Sequence, residues 1–232
     1  MIKKVYIAFF TVFWVSNVFA EEIYSHNRDL LKILHADSHW NIIEKTSDSI
    51  YISEKIIEGS GLNAVKVEKI YDIKPDYFTD VIMNVDAYSS FLSNAKSLYS
   101  KVIDNTPDGL IGYQRITVDL PFFDDREYYF YMSREPFDDN YSNVMCYWIL
   151  LEASQSPTKN DLTENATYLK NGAGLWKWAP DQSGGVKITY TLTMHPGGSI
   201  PDFLVEMINK NSIVGLLRDV GKEVNKKIGS SG

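Results

Sequence analysis

The stretch KITYTLTMHPGGSIPDFLVEMINK, Lys187 to Lys210, decides the fold. Its opening alternates: Ile188, Tyr190, Leu192 and Met194 fall on one side of an extended chain, and Lys187, Thr189, Thr191 and Thr193 on the other. Pro196-Gly197-Gly198 then breaks the strand. A helix restarts at once, with Ser199 as candidate N-cap, Pro201 in the first turn and Asp202 in the capping-box place. Phe203, Leu204, Met207, Ile208, Val214, Leu217, Val220, Val224 and Ile228 share one apolar face. Lys222, Lys226 and Lys227 suit the negative end of the helix dipole. At ~1.5 Å per residue this helix is about 40 Å long, enough to cross a whole sheet.

Working back toward the N-terminus, the elements needed to build that sheet are present. Arg28 to Ile43 reads as a helix with apolar Leu30, Leu31, Ile33, Leu34 and Trp40. SIYISEKIIEG and NAVKVEKIYDI switch to period two and are joined by GSGLN, a hairpin connection in which Val65, Val67 and Tyr71 form the apolar side of the second strand. Pro75 marks a helical start that runs through DVIMNVDAYSSFLS. Strand patterns follow in SLYSKVID, GLIGYQRITVDL, REYYFYMSRE, NVMCYWILLEA, AGLWKWAP and VKITYTLTMH, with SQSPTKNDLTENATYLKNG as a polar insertion between two of them. The predicted order is a helix, three strands, a helical segment, about six strands and the closing helix. Strands in unbroken succession favour an antiparallel sheet.

The first residues speak of compartment. MIKK is positive, VYIAFFTVFWVSNV is uncharged and too short to span a bilayer comfortably, and VFA ends in a small residue, so residues 1–20 read as a cleavable secretory signal. Residues 21–228 then form one domain, with 229–232 as a disordered tail. The formal net charge of −7 becomes about −9 once Lys3 and Lys4 are removed, which argues against nucleic acid as a partner and against a polybasic grip on lipid. One cysteine, Cys146, precludes an internal disulfide and sits in the apolar run VMCYWILL as a small core residue.

Motifs for catalysis are sparse. His35 and His39 stand four apart, but Ala36 takes the place of the glutamate of HExxH, so no metal site is expected. NGAGLW lacks a following helix and PGGSIP lacks the phosphate-binding lysine. No Gly-x-Ser-x-Gly elbow occurs, and Cys146 has no evident histidine beside it. Asp124-Asp125 beside Arg126 reads as a turn cap.

Two stretches carry a resemblance. VDLPFFDDREYYFYMSRE is similar to the strand, Ω-like loop and Arg-acid-aromatic strand start of the StAR-related lipid-transfer (START) domain. GLWKWAPDQSGGVKITYTLTMHPGGSIPDFLVEMI resembles that family's Trp-to-Pro strand, tyrosine-bearing penultimate strand and Gly-Ile-Pro turn into a lid helix. With the element order, the resemblance covers about Leu30 to Ile228. It implies an α+β helix-grip fold in which a curved antiparallel sheet grips a long C-terminal α-helix over an internal apolar cavity that holds one lipid or sterol-like molecule. It also implies that the Ω-like loop and the lid helix open at a membrane. Leu120, Phe122 and Phe123 supply the apolar material of that loop.

Strand parity then nominates ligand contacts. Along REYYFYMSRE, Arg126, Tyr128, Phe130, Met132 and Arg134 share a side, so if Phe130 and Met132 face the cavity Arg134 does too. Arg134 there needs a carboxylate or a ligand head group, because an unpaired buried guanidinium costs several kcal/mol. Tyr190 and Leu192 join from the penultimate strand, and Leu204, Met207 and Ile208 from the lid helix. The expected protein is an exported, monomeric carrier in the envelope of a Gram-negative bacterium, in the periplasm, with transient membrane contact, no cofactor and no catalytic residue. The alternatives are an enzyme of cyclase or hydrolase type acting in the same cavity, and a lipid sensor.

Overall fold

The computed structural model describes residues 26–58, 63–118, 123–134, 143–155, 163, 165–198 and 202–230, without the side chains of 95 and 202–211. The predicted signal, residues 1–20, and the candidate cap Ser199 with Pro201 lie outside them. A short helix, α1 (26–35), leads into the meander β1 (Asn41–Lys45), β2 (Tyr51–Ile56) and β3 (Asn63–Tyr71). Helices α2 (Pro75–Ile82) and α3 (Tyr88–Phe91) follow, then β4 (Leu98–Thr106), β5 (Gly109–Ile116), β6 (Asp125–Ser133) and β7 (Val144–Leu150). The chain ends with β8 (Ala166–Tyr168), β9 (Gly172–Pro180), β10 (Val186–Met194) and the 29-residue α4 (Asp202–Ser230).

The strands make one curved open sheet in the order β1-β2-β3-β10-β9-β7-β6-β5-β4, antiparallel throughout this path. The last strand thus lies in the middle, between β3 and β9, and its handover to α4 sends that helix over the sheet. Parity decides what each face contributes. Val65, Val67, Ile188 and Tyr190 turn toward α4, whose Ile213, Val214, Leu217, Val220 and Val224 are buried against them. Ala64, Tyr147, Ile149, Ala173 and Leu175 turn the other way and are covered by Leu30, Leu31 and Leu34 of α1. A strand buried on both sides cannot show clean alternation, which is why β7 is apolar at all its positions.

Three features depart from the sequence reading. The first helix ends at residue 35, not at Ile43: His39 adopts φ 65°, which no helix continues through, and Asn41 to Lys45 pair with β2. The end of α1 is held by lysines instead, Lys55 donating to the Ile33 and Ala36 carbonyls at 2.8 and 2.7 Å and Lys177 to the His35 carbonyl at 3.0 Å. The polar insertion contains β8, three residues that pair in parallel with the start of β6. At the other terminus, α4 continues through Gly229 to Ser230. Pro75 does open α2 from its first turn, as its spacing predicts.

Helix α4 is tied down along its C-terminal part. Arg218 holds Asp48, in the β1–β2 turn, through two bonds of 2.9 and 2.7 Å. Buried Asp219 accepts from the Ser93 amide at 2.7 Å, and the Tyr71 hydroxyl donates to the Leu217 carbonyl. The turn before α4 is held separately. Gly197 and Gly198 have φ of 63° and 65°, a conformation natural to glycine, and the Arg126 guanidinium donates to the carbonyls of Pro196 at 2.7 Å, of Gly197 and of Asp124. Arg126, 6% exposed, is therefore the buried arginine of β6.

Candidate functional site

Between the sheet and α4 the side chains leave a pocket of about 200 Å³. From the sheet, Tyr128, Phe130 and Met132 of β6, Trp148 of β7 and Trp176 of β9 line it, with Tyr190, Leu192 and Met194 of β10. Gln114 and Ile116 of β5 close one side, Tyr88 and Leu92 another, and Ile213 and Leu216 of α4 cover it. The strands carry these residues because β6 and β10 each put alternate positions on this face.

Two glycines explain why space remains under so many aromatic rings. Gly112 is paired across from Phe130 and Gly174 across from Trp148. A Cβ at Gly112 would come within 2.3 Å of the Phe130 ring, and one at Gly174 within 2.6 Å of the Trp148 indole. Each ring therefore lies down over the neighbouring strand rather than standing in the pocket. The floor is flat and aromatic, reinforced by Trp176 stacked on Tyr190 with centroids 4.1 Å apart and planes 14° from parallel.

Polar groups in this floor are few, buried and mutually bonded. Trp148 Nε1 donates to the Tyr190 hydroxyl at 3.0 Å. The Tyr128 hydroxyl donates to Gln114 Oε1, and Gln114 Nε2 donates to Ser100 Oγ at 3.0 Å. The Tyr88 hydroxyl is bonded to the Ile82 carbonyl. Burial pushes the phenols of Tyr88, Tyr128 and Tyr190 and the Cys146 thiol far above their ordinary pKa values, so all four are neutral at physiological pH. No lining residue among those described carries a formal charge.

Of the residues nominated from sequence, Phe130, Met132, Tyr190 and Leu192 meet in this pocket. Arg134 does not. Strand β6 ends at Ser133, and beyond it the Arg134 side chain, 53% exposed, reaches out to Asp80 of α2 at 3.2 Å. Arg115 is likewise taken, by Asp125 at 2.7 Å. Leu204, Met207 and Ile208 lie on α4 with their side chains outside the described residues, and Leu120 and Phe122 lie outside them altogether. Phe123 is half-buried. Gln114 and Trp148 were not singled out as contacts; the parity of β5, with Gly112 and Gln114 on one side, was a signal for the first. Among the described residues no group of three or more His, Cys, Asp or Glu could hold a metal ion, and His35 bonds Asn143 at 3.1 Å.

A curved antiparallel sheet whose last strand feeds a long helix laid over an apolar pocket defines the helix-grip class, and this chain has the fold seen in StAR-related lipid-transfer (START) domains. Comparison with known proteins gives the particulars. The mouse phosphatidylcholine transfer protein is 25% identical over 198 residues, 84% of this chain and 87% of that protein. The solved structure of a STAR-related lipid transfer protein from Xanthomonas axonopodis superposes with a TM-score of 0.64 at 19% identity, covering 81% of this chain and 99% of that one. An aromatase/cyclase from a Streptomyces species superposes with a TM-score of 0.51 at 11% identity, covering 73% and 97%. No family model matches.

Proposed function

We propose that this protein binds one lipid or sterol-like molecule in the pocket under α4 and carries it, chemically unchanged, through an aqueous compartment, the periplasm. The observation that carries the reading is the pocket itself: an aromatic floor kept open by Gly112 and Gly174, whose buried Trp148, Tyr190, Tyr128 and Gln114 are joined in hydrogen-bonded pairs and whose described lining carries no formal charge. Burying an apolar ligand there contributes roughly 25 cal/mol per Å² of area removed from water. Relatives named for lipid transfer support the same reading. Exchange requires α4 to part from the sheet, with the loop carrying Leu120, Phe122 and Phe123 touching the membrane while it does so.

A cyclase on a similar fold is the specific reason to weigh enzymatic turnover. Against it, the described pocket holds neutral phenols with raised pKa values, which are poor bases, and no carboxylate or imidazole. The test is native mass spectrometry of the protein purified from its own host, with extraction of whatever accompanies it. One intact lipid per chain is expected, together with an N-terminus at Glu21. An empty protein overturns the carrier, and a converted product that accumulates with added substrate replaces it with an enzyme.

A further inference from the structure

The polar groups of the pocket are not equivalent once their protons are counted. Tyr190 is 4% exposed, and its hydroxyl already accepts the Trp148 indole N–H, so its own proton points elsewhere with no acceptor among the described residues. Gln114, also buried, gives one amide N–H to Ser100 and receives the Tyr128 hydroxyl, leaving its second N–H without an acceptor among them. Both side chains line the pocket. The floor thus offers two spare donors and no charge.

The three arginines on and beside β5 and β6 are occupied elsewhere. Arg126 is spent on the carbonyls before α4, Arg115 on Asp125, and Arg134 on Asp80 at the surface. A phosphate or carboxylate drawn into this pocket would lie among apolar and phenolic groups without a described counter-charge, which is costly. Its volume of about 200 Å³ is also small beside the roughly 300–1,000 Å³ usual for ligand sites. That suits one compact hydrocarbon body better than two acyl chains.

We propose that the pocket selects a compact lipid whose polar end is a single uncharged acceptor oxygen, a ketone, ester or hydroxyl, met by the Tyr190 hydroxyl and the Gln114 amide. This rests on the carrier reading above and names its cargo class. A carbonyl oxygen has two lone pairs, one for each spare proton. The hydrocarbon lacking that oxygen leaves both donors buried and unpaired.

The test measures equilibrium binding of four probes delivered from cyclodextrin to the full purified protein: trans-2-decalone, small enough for the pocket, its parent trans-decalin, palmitate and dipalmitoylphosphatidylcholine. The ketone is expected to bind about tenfold or more tighter than the hydrocarbon and both charged lipids. Tyr190→Phe and, separately, Gln114→Met should each cut the ketone-to-hydrocarbon ratio about fivefold. Tyr190→Phe also strips Trp148 of its acceptor and Gln114→Met strips the Tyr128 hydroxyl of its own, so thermal melting accompanies both and whichever variant keeps its fold carries the test. Equal binding of ketone and hydrocarbon, or tighter binding of either charged lipid, overturns the selectivity while leaving the carrier standing. Binding of none of the four overturns both.

Discussion

The two faces of this sheet are built from the same strands and the same kinds of residue, yet one is solid and the other is not. Under α1, Leu31 and Leu34 meet Ile149, Ala173 and Leu175, each wholly buried. Under α4, larger side chains from those same strands, Trp148 and Trp176 among them, enclose a pocket. The difference lies in what stands opposite the rings. A glycine beneath an aromatic lets the ring lie flat, and a helix held off by a flat floor leaves room above it. Bulk in the sequence therefore does not translate into filled space; the arrangement of bulk against glycine does.

Substitutions that distinguish the faces test that contrast most strongly. Leu31→Ala should cost about 2–5 kcal/mol, because a close-packed interior cannot collapse around the lost atoms. Ile116→Ala, at the edge of the pocket, should cost less than about 2 kcal/mol, since space already adjoins it. Urea denaturation of both variants measures the difference, and equal costs would mean that the pocket is no looser than the other face.

Gly174→Ala attacks the floor directly. The new methyl must lift the Trp148 ring into the pocket and away from Tyr190, at about 1–3 kcal/mol, and ligand occupancy should fall well before the fold is lost. Mass spectrometry of the variant from its host reads occupancy, and thermal melting reads stability. A variant that keeps its full ligand would show that Trp148 has another place to go.

The smallest effect concerns the solid face and pH. Burial holds the His35 pKa below its ordinary value near 6.5, with Lys177 adding to that and Asn143 opposing it. The unfolded chain then binds the proton more readily than the folded one. Stability is fully present above about pH 6.5 and declines as the pH falls through and below that value. Replacing His35 with Gln should flatten this decline in denaturation midpoints measured between pH 8 and pH 5. Ligand binding, on the opposite face, should be indifferent to the change.

Much of this was legible in the sequence because burial imposes periodicity. The alternation of Ile188, Tyr190, Leu192 and Met194, and the apolar stripe from Val214 to Val224, identify the gripping strand and helix without any tertiary knowledge. What periodicity does not encode is where an element stops. Counting parity along β6 reaches Arg134, but the strand ends one residue earlier, and at a strand end a long charged side chain finds water and Asp80. The same count contains Arg126, whose burial depends on a turn 70 residues later in the chain. Trp40 to Ile43 continue a helical pattern that the positive φ of His39 interrupts. Gln114 looks like any polar strand residue until Ser100 and Tyr128 are placed beside it.

The central position of β10 bears on how the molecule forms. Tyr190 pairs with Val67 and Leu192 with Val65, so the meander at one end of the chain joins the rest of the sheet only through a strand made near the other end. Closing a loop on the order of a hundred residues comes late and places folding toward the slow, millisecond-to-second range of sheet proteins. A chain truncated before Val186 would lose the middle of its sheet rather than an edge, leaving β3 and β9 with unpaired backbone where β10 belongs. Until that strand arrives there are two half-sheets and no floor, so the capacity to hold a ligand appears only with the last step of assembly.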